Sequence, residues 1–438
     1  MIGSFLELRK NNTIKGPGII CVKASLKYQW LKEIEKFSNL RATIIKTPSA
    51  AGKKFDEQFT DDIDLYILNY ETLRNDQVYD KLREVNVDSI FCDEIHYCNN
   101  HKSKRSKALY KFNDLPVKIG ATATPITNNP LNMFGIFNMI NPELFINYSR
   151  FSKRYVIWKY RRPVKAKNVD ELLDKVRPFI FKKSEEDIIG QLPDLVLVPP
   201  LMCPMTSNMI EVNNIINDKI DDIQRTISKL DKKNVSDTAP EWQQAETQLM
   251  TYQTFAQELA DDISLIHDSD SNVTEQFNIY DFTNHKLDTL IDLIDDITTA
   301  GSKVCIFTKY ERMQNIIIAE INKRFDFKVA YVNGSMNAEE RYNQSYTLFT
   351  DKEDYKVIVA TDAMSEGISL SRCNYLIEYD LAPSYAIQTQ RHGRIRRANS
   401  ISRTSYVYQL ITEDSWDEIQ QKIINKKKNY DKDLIQDL

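Results

Sequence analysis

Short runs of apolar residues alternate along the chain with longer segments whose apolar residues recur at helical spacing. A strand that is buried on both faces is apolar throughout, and a crossover helix joins each parallel strand to the next. This alternation therefore predicts a parallel sheet covered by helices in the first part of the chain. The predicted strands of this part are residues 19–22, 43–45, 65–68, 88–92 and 117–124.

The same alternation returns near residue 286, after a stretch that is mainly helical and polar in pattern. The predicted strands of this second part are residues 303–308, 329–332, 356–360 and 375–379. We therefore predict an α/β protein with two parallel-sheet domains and a helical insertion between them. The predicted boundaries are 1–130 for the first domain, 131–285 for the insertion and linker, 286–412 for the second domain and 413–438 for a helical tail.

Two adjacent acids, Asp93 and Glu94, directly follow the apolar run at 88–92. The carboxyl ends of parallel strands form the sheet edge at which open α/β folds bind their ligands. Adjacent carboxylates at such an edge can hold Mg²⁺ and orient a water for phosphoryl transfer. The pair can equally be a solvated strand end that opens a helix, because acids favour helix N-termini.

The overall charge identifies no partner, since 58 Lys and Arg residues against 62 Asp and Glu residues give a formal net charge of −4. Residues 150–183 differ, with twelve basic and three acidic residues interleaved with Phe151, Tyr155, Trp158 and Tyr160. Such a segment can follow a phosphate backbone, and we select Arg161 and Arg162 as its nucleic-acid contacts. The alternative is a solvated helical face whose aromatic residues pack inward.

No apolar stretch approaches the ~18 residues of a membrane span, so we predict a soluble protein without a membrane partner. Its expected location is the cytoplasm, either nucleoid-associated or in a host cell. The six cysteines are scattered without a CxxC pair. This spacing indicates reduced core residues rather than metal ligands or disulfides.

Seven short motifs occur in an order that resembles the Swi/Snf-type helicase-like ATPases of helicase superfamily two. In the first part the resemblance rests on Asp93-Glu94-Ile95-His96, where Ile95 replaces a more usual Ala, and on flanking motifs. Those flanking motifs begin at Lys23, Asn69 and Thr122. In the second part the motifs begin at Phe307, Thr361 and Gln390, and a further element that resembles the family begins at Asn333.

The resemblance implies two RecA-like lobes that use ATP and Mg²⁺ and move along double-stranded DNA. It implies that Asp93 and Glu94 hold the metal and, with Arg394 and Arg397, act in catalysis and nucleotide binding. Spaced three apart, the two arginines are expected on one helical face. Further implied residues are Gly367 for the nucleotide; His96, Thr122, Thr124 and Gln390 for coupling; and Ser25, Lys27, Tyr70, Thr308 and Lys309 for nucleic acid.

One element of such an ATPase is missing from the sequence, the GxxxxGK[ST] loop that holds the β and γ phosphates. None of the eleven glycines opens this pattern, and the single Gly-Lys pair, Gly52-Lys53, has Thr47 at the required first position. We therefore expect the chain to lack ATPase activity by itself. It is then a fragment, half of a split motor whose partner polypeptide supplies the loop, or a degenerate, non-catalytic DNA-binding or regulatory subunit.

Overall fold

The computed structural model divides the chain into two compact units, one of residues 1–182 with 433–438 and one of residues 183–432. It describes residues 1–122, 131–145, 147–159, 162–182, 190, 192–233, 235–236, 239–267, 277–364, 370–398 and 400–435. Within these ranges, the side chains of residues 159, 162, 164–165, 338 and 427–435 are not described.

The first unit is built on a sheet of five parallel strands in the order β2-β3-β1-β4-β5. The three central strands are buried along their whole length because their residues are almost all apolar. Core clusters cover both faces of the sheet. The strands are β1 (Gly18–Val22), β2 (Ala42–Ile44), β3 (Leu65–Asn69), β4 (Ser89–Cys92) and β5 (Val117–Gly120).

Helices and one antiparallel hairpin complete the first unit. The hairpin consists of β6 (Val156–Lys159) and β7 (Arg162–Ala166). The helices are α1 (Ile2–Lys10), α2 (Lys27–Phe37), α3 (Pro48–Ala51), α4 (Asp76–Glu84), α5 (Lys104–Tyr110), α6 (Leu131–Ile140), α7 (Tyr148–Tyr155) and α8 (Val169–Val176).

The second unit contains a seven-stranded sheet in which every pairing is parallel. Its order is β11-β12-β10-β13-β14-β8, and β9 also pairs with β14. The strands are β8 (Asp194–Leu197), β9 (Leu201–Cys203), β10 (Val304–Phe307), β11 (Lys328–Val332), β12 (Tyr355–Ala360), β13 (Tyr375–Glu378) and β14 (Thr404–Thr412).

Two long helices, α9 and α10, lie between β9 and β10 in the chain and pack against each other. A π-helical segment, Asn343–Thr350, lies between β11 and β12. The helices are α9 (Ser207–Lys232), α10 (Pro240–Asp261), α11 (Ser264–His267), α12 (His285–Thr299), α13 (Glu311–Arg324), α14 (Ala338–Tyr342), α15 (Tyr385–His392) and α16 (Trp416–Ile435).

The two predicted parallel sheets are confirmed, and together they give the predicted α/β fold of two RecA-like domains. The insertion at 131–285 was expected to be helical, and this is wrong at the hairpin β6–β7 and at the strands β8 and β9. Strands β8 and β9 join the second sheet through β14, and the apolar pattern did not predict them because β8 is largely exposed. The proposed domain boundaries stay a prediction.

Among the described helices, none combines the length and apolar character that crossing a membrane requires.

Candidate functional site

The segment that follows β4 is fixed through its backbone on both sides. The amide of Asp93 donates to the carbonyl of Cys21 at 2.8 Å, which extends the pairing with β1. The amide of Ile95 donates to the carbonyl of Ala121 at 2.9 Å, beyond the end of β5. The two acids therefore lie at the carboxyl edge of the sheet, as predicted.

Glu94 adopts a left-handed backbone conformation, with φ 51° and ψ 50°. This conformation costs free energy in a residue with a side chain, and such residues concentrate at functional sites. It is followed by a short 3₁₀ helix, Ile95–Cys98, so the chain turns sharply straight after Glu94. The side chain of Ile95 is buried against Gly120, where a Cβ atom would lie 2.5 Å from Ile95 Cδ1.

The side chain of Asp93 accepts a hydrogen bond from the indole of Trp30, with Nε1 2.9 Å from Oδ2. The backbone carbonyl of Asp93 accepts a hydrogen bond from the Tyr70 hydroxyl at 2.7 Å. Trp30 was not among the predicted site residues. It lies 63 positions away in sequence, and no short-range signal links the two.

Tyr70 itself is only 2% exposed and packs in the core under the sheet. Burial raises the pKa of its hydroxyl well above the usual range, with nearby cysteine thiols adding to the effect. A side chain in this position does not reach a nucleic acid. The prediction that Tyr70 contacts DNA is therefore not supported, and its hydroxyl instead fixes the backbone at Asp93.

His96 lies between the acid pair and the end of β5. Its Nδ1 is 3.0 Å from Thr122 Oγ1, within hydrogen-bond distance, and 3.1 Å from Glu94 Oε2. The second approach lacks hydrogen-bond geometry, and Oε2 has no hydrogen-bond partner among the described residues. The structure thus brings three predicted residues together, while Thr124 lies outside the described residues.

Two carboxylates at a sheet edge fit a magnesium ion of the kind that phosphoryl-transfer enzymes use. Such an ion is usually bound through one or two protein carboxylates, with waters and substrate phosphates as its other ligands. Asp93 and Glu94 supply oxygen ligands of this type. Within the described part of the chain, no group of three or more His, Cys, Asp or Glu side chains forms a complete metal cage.

The predicted arginines of the second unit do not share a helical face, because α15 ends at His392. Arg394 lies in the turn that follows, where its Nε donates to the carbonyl of Gln390 at 3.0 Å. Arg397 lies further along, and its Nε has no hydrogen-bond partner among the described residues. Burial lowers the pKa of the Arg397 guanidinium, which indicates a desolvated cation.

Arg391, one turn before Arg394, is a buried residue that the motif analysis did not select. Its Nε and Nη2 both contact Asp362 Oδ1 at 2.8 Å, and its Nη1 donates to the carbonyl of Asp380 at 2.8 Å. Burial alone would lower its pKa, but Asp362, Glu378 and Asp380 outweigh burial and raise it. Arg391 therefore ties α15 to the turn after β12 and to the end of β13.

The remaining predicted nucleic-acid contacts differ in accessibility. Lys27 is partly buried, and burial together with Lys46 lowers the pKa of its ammonium. Lys309 is exposed. Thr308 is fully buried and donates to Asp380 Oδ2 at 2.8 Å, so its predicted contact with DNA is not supported.

Ser25 lies in a short 3₁₀ turn immediately before α2, and its Oγ is buried without a hydrogen-bond partner among the described residues. Gly367, Arg161 and the side chain of Arg162 lie outside the described residues. Within the basic segment, Phe151 and Tyr155 are both 3% exposed, as the alternative interpretation expected, whereas Trp158 is 44% exposed.

Comparison with known proteins agrees with the order of motifs. The model of the SNF2-related domain matches residues 1–264, and that of the helicase conserved C-terminal domain matches residues 285–399. The putative ATP-dependent helicase/translocase YwqA of Bacillus subtilis is 23% identical over 441 residues, which cover 100% of this chain and 45% of YwqA.

Two further similarities concern a second bacterial protein and a solved structure. The uncharacterized ATP-dependent helicase YqhH of Bacillus subtilis is 25% identical over 418 residues, covering 93% of this chain and 69% of YqhH. The Sulfolobus solfataricus SWI2/SNF2 ATPase core in complex with double-stranded DNA has 22% identity and a TM-score of 0.40, covering 99% of this chain and 85% of that chain.

The chain spans less than half the length of YwqA and 38% of the ATP-dependent helicase fft2 of Schizosaccharomyces pombe. The SNF2-related domain nevertheless matches more than half of its residues, and the helicase C-terminal domain follows it in order. This chain therefore belongs to the SNF2 family of helicase-like ATPases, as its motifs predicted.

Proposed function

We propose that this chain is the motor part of an ATP-dependent translocase on double-stranded DNA. The observation that carries the proposal is the group formed by Asp93, Glu94, His96 and Thr122 at the carboxyl edge of the first sheet. A carboxylate pair at this edge, linked through an imidazole to the next strand, provides both a metal site and a route for coupling.

Each group has a defined task in phosphoryl transfer. Asp93 would hold Mg²⁺, which neutralises charge on the phosphates of ATP when bound. Glu94 orients the attacking water and accepts its proton through its carboxylate, whose Oε2 has no hydrogen-bond partner among the described residues. Arg394 and Arg397, with Gly367, bind the nucleotide, and the two guanidinium groups stabilise the charge that builds on the transferred phosphoryl group.

Coupling between hydrolysis and movement is assigned to His96, Thr122, Thr124 and Gln390. Support comes from the distance of 3.0 Å between His96 Nδ1 and Thr122 Oγ1. The imidazole approaches Glu94 Oε2 at 3.1 Å with the same nitrogen. A change at Glu94 on hydrolysis therefore alters the bond that His96 makes to the end of β5.

Duplex DNA is the proposed track, and a DNA-containing cytoplasm the proposed location. Ser25, Lys27 and Lys309 contact its phosphates, together with Arg161 and Arg162 of the basic segment. Partial burial of Lys27 supports this assignment, because a desolvated ammonium gains more from an incoming phosphate than a fully hydrated one.

We further propose that these 438 residues bind DNA but do not hydrolyse ATP by themselves. The amides and lysine of the phosphate loop supply charge-assisted hydrogen bonds worth about 1.5–3 kcal/mol each, and the sequence contains no such loop. A separate polypeptide that carries such a loop would complete the phosphate site.

The test uses the purified 438-residue chain with a labelled 30-base-pair duplex. We expect salt-dependent duplex binding and no Mg²⁺-dependent, DNA-stimulated ATP hydrolysis above background. DNA-stimulated hydrolysis would refute the claim that the chain is inactive alone, and absence of duplex binding at low salt would refute the DNA motor. Supplying a Gly-Lys-Thr or Gly-Lys-Ser loop by fusion should restore hydrolysis; binding without restored hydrolysis would favour a regulatory subunit.

A further inference from the structure

Trp30 connects helix α2 to the proposed metal ligand. The indole packs partly buried in the core cluster that also contains Leu26 and Ile34 of the same region. Its Nε1 donates to Asp93 Oδ2 at 2.9 Å. An indole nitrogen can only donate, so it orients the carboxylate without competing for a cation.

The backbone of Asp93 is fixed independently of this bond. Its amide donates to the carbonyl of Cys21 at 2.8 Å, and its carbonyl accepts from the Tyr70 hydroxyl at 2.7 Å. The main chain is thus held by β1 and by the residue that follows β3, so the orientation of the carboxylate depends on the contacts of its side chain. The Trp30 bond is one of these contacts and acts on where the carboxylate oxygens lie.

The other end of the connection is the start of α2. Lys27 is the first residue of this helix, and Ser25 lies in the turn just before it. Lys27 and Trp30 are three residues apart and therefore lie on neighbouring positions of one helical face. A bound phosphate that displaced the start of the helix would therefore also displace the indole, which lies one turn away.

We propose that Trp30 is a positioning residue through which contact with a nucleic-acid phosphate at the start of α2 changes the orientation of Asp93 and its affinity for a divalent cation. This inference rests on the proposed function, since it takes Asp93 as a metal ligand and Ser25 and Lys27 as phosphate contacts. Partners that orient a metal ligand typically change metal affinity by about 10–100-fold when they are removed.

A purely structural role for Trp30 makes different predictions. A buried or half-buried indole usually finds an acceptor for its N–H, whatever lies nearby. In that case Trp30→Phe, which keeps an aromatic ring and removes only the donor, changes thermal stability slightly and leaves cation binding unchanged. The positioning role instead requires a change in cation affinity and in its response to DNA.

The experiment measures Mn²⁺ binding to the 438-residue chain by paramagnetic relaxation, with and without a saturating 30-base-pair duplex. In the wild-type chain we expect the duplex to change Mn²⁺ affinity by about fivefold or more, the usual lower range for coupled sites. In Trp30→Phe we expect Mn²⁺ to bind about tenfold more weakly or more. Addition of the duplex should leave the Mn²⁺ affinity of this variant almost unchanged.

Trp242→Phe is the matched control, because it removes an indole N–H that is buried without a hydrogen-bond partner among the described residues. It should leave both quantities at the wild-type value. Equal Mn²⁺ affinity and an equal duplex effect in Trp30→Phe and wild type would overturn the inference. If the wild-type chain binds duplex but no Mn²⁺, the inference alone is overturned. If it binds no duplex, the proposed function fails first, and the inference fails with it.

Discussion

The contact between Ile95 and Gly120 fixes the backbone just after the acid pair. A Cβ atom on Gly120 would lie 2.5 Å from Ile95 Cδ1, 3.0 Å from Cγ2 and 3.2 Å from Cβ. These distances involve the root of the side chain as well as its end, so a rotamer change does not relieve them. Glycine at 120 and a large residue at 95 are therefore complementary.

Gly120→Ala should destabilise the first unit by about 1–3 kcal/mol through overpacking. Ile95→Ala alone should cost about 2–5 kcal/mol, because it leaves a cavity. In the double variant the new methyl group enters the vacated space, so the total cost should be smaller than the sum of the two. Urea unfolding of the four proteins measures this coupling, and strictly additive costs would contradict the packing argument.

Asp380 makes the stability of the second unit depend on pH. Burial raises its pKa to about 6, although Arg391 acts in the opposite direction. The folded carboxyl thus binds a proton more tightly than the unfolded one, whose pKa is near 3.9. Protonation of Asp380 therefore stabilises the folded second unit fully below the unfolded pKa of about 3.9. This stabilisation is lost as the pH rises towards the folded pKa of about 6.

We expect Asp380→Asn to lose less stability than the wild-type chain when the pH is raised from 4 to 7. The amide retains an acceptor for Thr308 and for the amide of Lys309, which both donate to Asp380 Oδ2. Urea unfolding at several pH values provides the comparison. Parallel pH profiles for the two proteins would show that Asp380 does not titrate in this range.

The sequence predicted the two acids and their place at a sheet edge, because a continuous apolar run followed by charge is a local signal. It did not predict the left-handed Glu94 or the bond from Trp30, which depends on a residue 63 positions away. It also predicted Tyr70 and Thr308 as DNA contacts, which the burial of their side chains does not support. Motif membership carries no information on exposure, and both side chains turn into the core.

Among the helices, α10, α12 and α16 are joined by one buried cation. Lys286 Nζ lies 2.8 Å from Asp417 Oδ2, 3.1 Å from Asp261 Oδ1 and 3.3 Å from the carbonyl of Ala260. Its side chain is 2% exposed. Removal of one partner from such a group leaves buried charge without compensation.

Lys286→Met should therefore destabilise the second unit by about 3–5 kcal/mol, although it conserves side-chain length. Lys323→Met is the control, because Lys323 is 75% exposed in its ion pair with Glu320, and its effect should stay within about 0.5 kcal/mol. Thermal and urea unfolding measure the stability of both variants relative to the wild-type chain. A cost for Lys286→Met as small as that of the control would show that the cation does not join these helices.

Strands were predictable where they are buried on both faces, as in β1, β3, β4 and β10. Strand β5 was predicted to reach residue 124 but ends at Gly120, where the pairing with β4 stops. Strand β8 was missed because it is mostly exposed, and β14 because its buried positions are interrupted by partly exposed ones. The place of these strands in the sheet is set by pairing with strands that are distant in sequence. The spacing of apolar residues along the chain does not predict such pairing.

For the molecule as a whole, binding to a polyanion has to be local, because the formal net charge is −4. In the basic segment several cations are already paired, since Glu171 binds Arg154 and Lys175, and Asp174 binds Arg177. These pairs reduce the positive potential of the helices α7 and α8. The predicted phosphate contacts Arg161 and Arg162 belong to none of these three pairs.

Arg161→Glu combined with Arg162→Glu should weaken duplex binding to a similar extent for all sequences, because phosphate contacts carry no base information. The slope of log affinity against log salt should fall by about 2, since each neutralised phosphate contributes about 0.9. Lys232→Glu combined with Lys233→Glu, at an exposed site of the second unit, changes the net charge equally and controls for general repulsion. Fluorescence anisotropy at several salt concentrations measures the duplex affinity of each double variant and its dependence on salt. An equal loss in both variants would mean that overall charge governs binding; no loss in either would leave the basic segment as a solvated face.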